Sequence, residues 1–302
     1  MADRRGILVM AYGTPGDLDA VEEYYTDIRR GRPPPADLLE ELVGRYRAIG
    51  GTSPLLDITS AQARGIEERL GISTYLGMKH APPFVRDGVA AMAKDGVERA
   101  VGLVLAPHFS KMSIGDYATR AAAAAEETGW KGDLEVVRSW HLEPGYIEFL
   151  ARAVSNALHS LAETERSDTT VVFTAHSLPA RIVQAGDPYP EQLQETAQAV
   201  ADLCGLRRWR IGWQSAGHTD DPWLGPDVLE IVTDLAAHGA RGVVVCPCGF
   251  VSDHLEVLYD LDIECRDLAD DLGIAFARTP SPNVDPSFLD TLADVVRRAF
   301  GD

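Results

Sequence analysis

Eight short runs of β-branched and aliphatic residues, each followed by a stretch of helical length, constrain this 302-residue chain more than any other feature. The runs lie at 7–11, 73–77, 101–106, 135–140, 170–175, 209–213, 243–247 and 274–278. Amphipathic or Ala-rich segments lie between them at 19–30, 60–70, 82–94, 117–128, 145–161, 191–203, 227–238 and 286–300. Strands apolar on both faces and separated by helices build an α/β fold with parallel sheets, because a parallel connection needs a crossover long enough to hold a helix. The order also repeats near half the chain length. Leu8-Val-Met-Ala-Tyr12-Gly-Thr-Pro15 is echoed by Val172-Phe-Thr-Ala-His176-Ser-Leu-Pro179, each a strand ending in a polar group shortly before Pro. Two similar α/β halves are therefore expected, 1–145 and 146–302, with the last helix free to pack back on the first. Ligands collect at the carboxyl ends of strands in open α/β sheets. The expected cleft is lined by Tyr12, His108, His176 and His254.

Charge removes whole classes of partner. With 28 Lys+Arg against 46 Asp+Glu the formal charge is −18, so nucleic acid and anionic membrane surfaces are poor partners for this chain. No apolar run reaches the roughly 18 residues of a membrane span. The first apolar stretch, 7–11, is too short for a signal peptide and reads as a strand. Four cysteines, Cys204, Cys246, Cys248 and Cys265, are too few for a disulfide scaffold of this size, which points to a reducing cytoplasm.

The densest candidate chemistry follows the seventh run. Glu256, Asp260 and Glu264 are spaced i, i+4, i+8, which on a helix sets three carboxylates along one face. A solvated acidic face explains such a row, and so does a site for a divalent cation or a path for protons. Its place after a strand end favours the site. His176, at the end of the fifth run, would join Glu256 in an incomplete ligand set that keeps coordination positions open, as a reacting metal requires. Cys246-Pro-Cys248 is a weak soft-metal signal and reads better as buried strand cysteines. No Gly-x-Gly-x-x-Gly, Walker A or Gly-x-Ser-x-Gly sequence is present. In the first half, Arg29 near Tyr24 and Tyr25, and Arg45-Tyr46 before Ser53, suit a flat aromatic ligand carrying carboxylates, or else are surface arginines on amphipathic helices.

Taken together with Arg45-Tyr-Arg-Ala-Ile-Gly-Gly51, Leu105-Ala-Pro-His-Phe-Ser110, Gly186-Asp-Pro-Tyr-Pro190, Gly212-Trp-Gln-Ser-Ala-Gly217, Asp221-Pro-Trp-Leu-Gly-Pro-Asp227 and Gly249-Phe-Val-Ser-Asp-His-Leu-Glu256, these segments make the chain resemble the ferrochelatases nearly end to end, and within them the coproporphyrin type of Gram-positive bacteria. The resemblance implies an α/β fold of two Rossmann-like lobes whose parallel sheets face across a porphyrin cleft, and insertion of Fe2+ into coproporphyrin III, with release of two protons, as a lyase of haem biosynthesis. It implies catalytic and metal-binding roles for His176 and Glu256, a metal or proton path along Asp260 and Glu264, and porphyrin contacts from Tyr12, Arg29, Arg45, Tyr46, Ser53 and Tyr117. His80 matches a histidine near the cleft without an assigned role. The mitochondrial members' cysteine-bearing C-terminal extension and long apolar lip are not matched, so no [2Fe-2S] cluster, no cofactor beyond substrate Fe2+ and no membrane docking are expected. A monomer is expected, with the next haem-pathway enzyme as a candidate partner. A protoporphyrin IX ferrochelatase, a non-catalytic haem or metal carrier and a chelatase for a corrin precursor are the competing readings.

Overall fold

The computed structural model describes residues 4–217, 219 and 221–302. The eight runs form eight strands, β1 (Arg5–Ala11), β2 (Thr74–Met78), β3 (Arg99–Val104), β4 (Asp133–Val136), β5 (Thr169–His176), β6 (Trp209–Gln214), β7 (Gly242–Cys246) and β8 (Ala275–Arg278). They make two four-stranded sheets of order β2-β1-β3-β4 and β6-β5-β7-β8, every pairing parallel. The two orders are the same topology, so the repeat read in the sequence is a repeat of architecture. In each sheet the chain leaves the first strand toward one edge and returns on its other side. That makes the carboxyl ends of β1 and β5 switch points, where crossovers diverge and open a crevice.

Backbone contacts divide the chain into two units. One comprises 1–140, 252–255 and 283–302, the other 141–251 and 256–282. This differs from a single cut at 145/146, because two later segments return to the first unit. The longer of them carries the helix Pro286–Phe300, which packs on the helix Leu55–Leu70 and on β3. Asp285 starts it by accepting from the Ser287 and Phe288 amides. Phe288, Leu292 and Val296 are fully buried on its inner face, each worth about 1.5–3 kcal/mol of burial. Gly65 permits the contact, since a Cβ there would stand 2.7 Å from Leu289 Cδ1.

The first unit's core gathers Leu8, Met10, Val85, Val89, Val104 and Ile114 on one face of its sheet; the second's gathers Val172, Ile231, Val243, Val245, Leu261 and Cys265. Three expectations need correction. The fourth strand ends at Val136, not 140, because Trp140 leaves the sheet to donate its indole N–H to the Val104 carbonyl at 3.2 Å and to meet the Phe288 ring. A helix at Ala36–Ala48 was not expected; it buries only Tyr46, so its sequence carries little apolar periodicity. Finally, His108 is buried and is not presented at a surface.

Candidate active site

In the second unit, β5 runs fully buried through Ala175 and surfaces at His176. Gly249 allows the following loop to lie against that strand end, since a Cβ there would stand 2.7 Å from Ala175 Cα. The loop delivers Glu256, whose Oε2 lies 3.0 Å from His176 Nδ1. An ionised carboxylate only accepts, so Nδ1 carries the hydrogen, and in the neutral imidazole the lone pair is then on Nε2. Both side chains are about one-third exposed, 35% for His176 and 28% for Glu256. The buried Tyr189 holds the strand end through a hydrogen bond from its hydroxyl to the His176 carbonyl, 3.0 Å. Burial above all pushes the Tyr189 phenol far above its usual range, so it acts as a donor throughout.

The carboxylate row does not lie on one regular α-helix. A single α turn, Leu255–Leu258, gives way to a π-helix at Asp260–Cys265, where the Glu264 amide donates to the Tyr259 carbonyl at 2.9 Å. Four residues overshoot an α turn of about 3.6, and the wider i−5 turn reduces that overshoot, which straightens the row. Asp260 is buried and accepts a short hydrogen bond from the Ser215 hydroxyl; Glu264 is half-buried. Ser215 adopts φ 59°, a left-handed conformation costly for a non-glycine residue and characteristic of functional sites. Asp262, which turns away from this row, is spent in a two-pronged pair with Arg278, 2.7 Å on each oxygen.

The first unit carries the aromatic and basic residues. Tyr12, just past β1, is 40% exposed, with its ring 4.7 Å from that of His80. His80 Nδ1 lies 2.7 Å from Asp27 Oδ2. Burial pulls the His80 imidazole down to about 4, against the opposing pull of Asp27; the contact is a neutral N–H to carboxylate hydrogen bond at pH 7. Sequence reasoning missed Lys79. Its ammonium lies 2.8 Å from Asp116 and 5.9 and 5.3 Å from the Tyr12 and Tyr117 ring centroids. Burial lowers its proton affinity despite Asp116. The available signal was a Lys directly after a strand whose last two residues, Gly77 and Met78, are buried.

The remaining first-unit candidates differ in availability. Arg29 is half-buried near Tyr25, 5.8 Å from ring centroid to guanidinium carbon, and its buried Nε has no hydrogen-bond acceptor. Arg45 is paired with Glu41 at 3.0 Å. Tyr46 is buried with its hydroxyl 3.2 Å from Thr14 Oγ1, and Tyr117 is buried with its phenol pushed well up by that burial. Ser53 Oγ accepts from the Leu55 amide at the start of the helix Leu55–Leu70.

The His80 shift predicts a pH effect on stability. The folded state keeps the imidazole neutral while the unfolded chain protonates near 6.5, so stability present above pH 6.5 is lost as pH falls toward 4. The loss is at most about 3 kcal/mol. Urea unfolding at pH 7.5 and 4.5 checks it: the drop in wild-type stability should exceed that of His80→Gln, and equal drops would remove His80 as the cause.

Comparison with known proteins bears on this arrangement. The Ferrochelatase family model matches residues 4–300. The chain belongs to the ferrochelatase family. The coproporphyrin III ferrochelatase of Geobacillus kaustophilus is 47% identical over 305 residues, covering 98% of this chain and 96% of the relative. That of Anoxybacillus flavithermus is 49% identical over 299 residues, covering 96% and 95%. Among solved structures, SirB from Bacillus subtilis with Fe3+ aligns at TM-score 0.62 and 12% identity over 99% of this chain and 98% of its own, a likeness of fold alone. This ferrochelatase-family chain is thus a metal chelatase of the lyase class, acting on porphyrin and Fe2+ as substrates. Among the described residues no three His, Cys, Asp or Glu side chains converge into a ready-made metal site. The Cys246-Pro-Cys248 thiols are fully buried, and burial holds the Cys248 thiol well above its ordinary range.

Proposed function

We propose that this ferrochelatase-family chain inserts Fe2+ into coproporphyrin III through His176 and Glu256. The observation that carries the residue assignment is the imidazole–carboxylate pair at the carboxyl end of β5, 3.0 Å apart and about one-third exposed. Relatives 47–49% identical over almost the whole chain carry the name coproporphyrin III ferrochelatase, which supports the substrate. Metallation removes two pyrrole protons while hydrated Fe2+ exchanges water for ring nitrogens. The Nε2 lone pair serves the incoming cation or a pyrrole proton, one at a time, so the second proton needs another acceptor. Glu256 supplies it. Asp260 and Glu264 follow on the straightened row and continue the path toward solvent.

Coproporphyrin carries four propionates and protoporphyrin two, so the carboxylate-binding side decides the preference. Arg29, Arg45, Tyr46, Ser53 and Tyr117 are assigned to that side and Tyr12 to the macrocycle. Remote contacts to the propionates contribute binding energy that can distort the ring toward a nitrogen-exposed form. A reducing cytoplasm suits Fe2+ and the four free cysteines. We place the chain there as a monomer passing product to the next haem-pathway enzyme. No described helix is long and apolar enough to cross a membrane.

The test is anaerobic metallation followed by absorbance, with coproporphyrin III and protoporphyrin IX in parallel. Loss of carboxylate hydrogen bonds at about 1.5–3 kcal/mol each predicts kcat/KM at least about tenfold higher for coproporphyrin. Equal values would move the substrate to protoporphyrin. Stoichiometric binding of porphyrin without turnover would make the protein a carrier.

A further inference from the structure

We infer that Gln214 is a positioning residue that locks Glu256 against His176. The inference rests on the proposed roles of that pair and adds a residue to it. Gln214 ends β6, where the parallel register places it beside His176, and its carbonyl accepts from the Ser177 amide at 2.8 Å. Its side chain is buried, at 1% exposure. A long amide is an unusual choice for a buried strand end and is retained only where its donors and acceptor are met. Here they are met in one direction only. The Glu256 carbonyl can only accept, so the amide nitrogen, 3.0 Å away, must be the donor toward it. The amide oxygen then faces the Thr174 hydroxyl, which donates to it at 2.8 Å.

The result is an oriented chain of hydrogen bonds from Thr174 on β5, through Gln214 on β6, to the backbone of Glu256. His176 and Glu256 lie far apart in sequence, and Glu256 begins at an irregular turn where an α turn passes into a π-helix. Strand pairing fixes His176 to Gln214, and the Gln214 amide fixes Glu256 to the same point. Neither Gln214 nor Thr174 is placed to touch a substrate. The pair they hold must stay within hydrogen-bond reach for a proton or cation to pass between its members.

The test is a variant series assayed for iron insertion. Gln214→Met keeps the length and volume while removing both polar groups; it should lower kcat about tenfold with KM for porphyrin within twofold. Thr174→Val should lower kcat in the same direction, and Thr174→Ser, which retains the hydroxyl, should restore it. Unfolding midpoints measured alongside separate this from loss of folded protein, and the Thr174 pair decides the question if Gln214→Met does not fold. Wild-type kcat in Gln214→Met, a loss matched by the unfolded fraction, or Thr174→Ser no better than Thr174→Val would overturn the assignment. If the wild-type chain metallates no porphyrin, the functional reading falls by itself. Titration with Co2+ alone, read by its d–d absorption with His176→Ala as blank, then decides. Binding weakened about threefold or more in Gln214→Met supports the lock, and unchanged or absent binding overturns it.

Discussion

His176→Ala should lower kcat for iron insertion by about three orders of magnitude while coproporphyrin still binds. A positioned acid–base group contributes about 10²–10⁴ in rate, and this imidazole is held by Glu256 through Nδ1 at 3.0 Å. The variant should fold. The His176 side chain is one-third exposed, and the bond that Tyr189 makes to this residue goes to its backbone carbonyl, which Ala retains. Glu256→Gln should lose less, since a neutral amide can still accept from Nδ1–H but cannot take a proton. The double variant should fall little below His176→Ala, because groups that act as one unit are not additive. Single-turnover anaerobic metallation and porphyrin fluorescence quenching, on the same preparations, check both halves. More than a tenth of wild-type turnover in His176→Ala would remove the histidine from the chemistry, and additive losses would separate it from Glu256.

Much of this arrangement was legible in the sequence because it rests on short-range patterns. The inner strands β1, β3, β5 and β7 are almost wholly buried and appear as aliphatic runs, whereas the edge strands β2, β4, β6 and β8 are part-buried and more polar; the polar residue ending β5 stands out against the buried run as His176. What was not legible has identifiable causes. The helix Ala36–Ala48 buries one residue, so it has no apolar stripe to read. Trp140 departs from β4 for a partner carbonyl on β3, a choice set by the tertiary neighbour and not by propensity. The π-helix was hidden because i, i+4, i+8 fits an α-helix equally well, and the bond from the Glu264 amide to the Tyr259 carbonyl that distinguishes it leaves no mark in the residue spacing. Lys79 was passed over because a lysine after a strand is ordinarily solvated, and only burial between two tyrosines and Asp116 gives it meaning. Gln214 lay inside a quoted motif, yet its role depends on which way a buried amide points, which only its partners determine.

Arg29→Leu should move substrate affinity and folding stability in opposite directions. A buried guanidinium donor without an acceptor costs roughly 1–3 kcal/mol in the unliganded chain, and Arg29 Nε is such a donor. Removing it relieves that cost. Against this stands only a distant contact of the guanidinium with the Tyr25 ring, 5.8 Å from the centroid, worth about 0.5–1 kcal/mol. The backbone amide of Arg29 still caps the helix Val21–Ile28 through the Tyr25 carbonyl. Stability in urea should therefore stay level or rise by up to about 1 kcal/mol. Affinity should fall, because a propionate that completes the guanidinium contributes a charge-assisted bond of about 1.5–3 kcal/mol. KM for coproporphyrin should rise about 10–100-fold with kcat little changed, the signature of binding lost equally from ground and transition states. Arg29→Lys should not rescue it, since an ammonium cannot reproduce the planar fork. A rise in KM together with a loss of stability would mean that the side chain holds the loop and not the ligand; unchanged KM with raised stability would leave Arg29 without a substrate role.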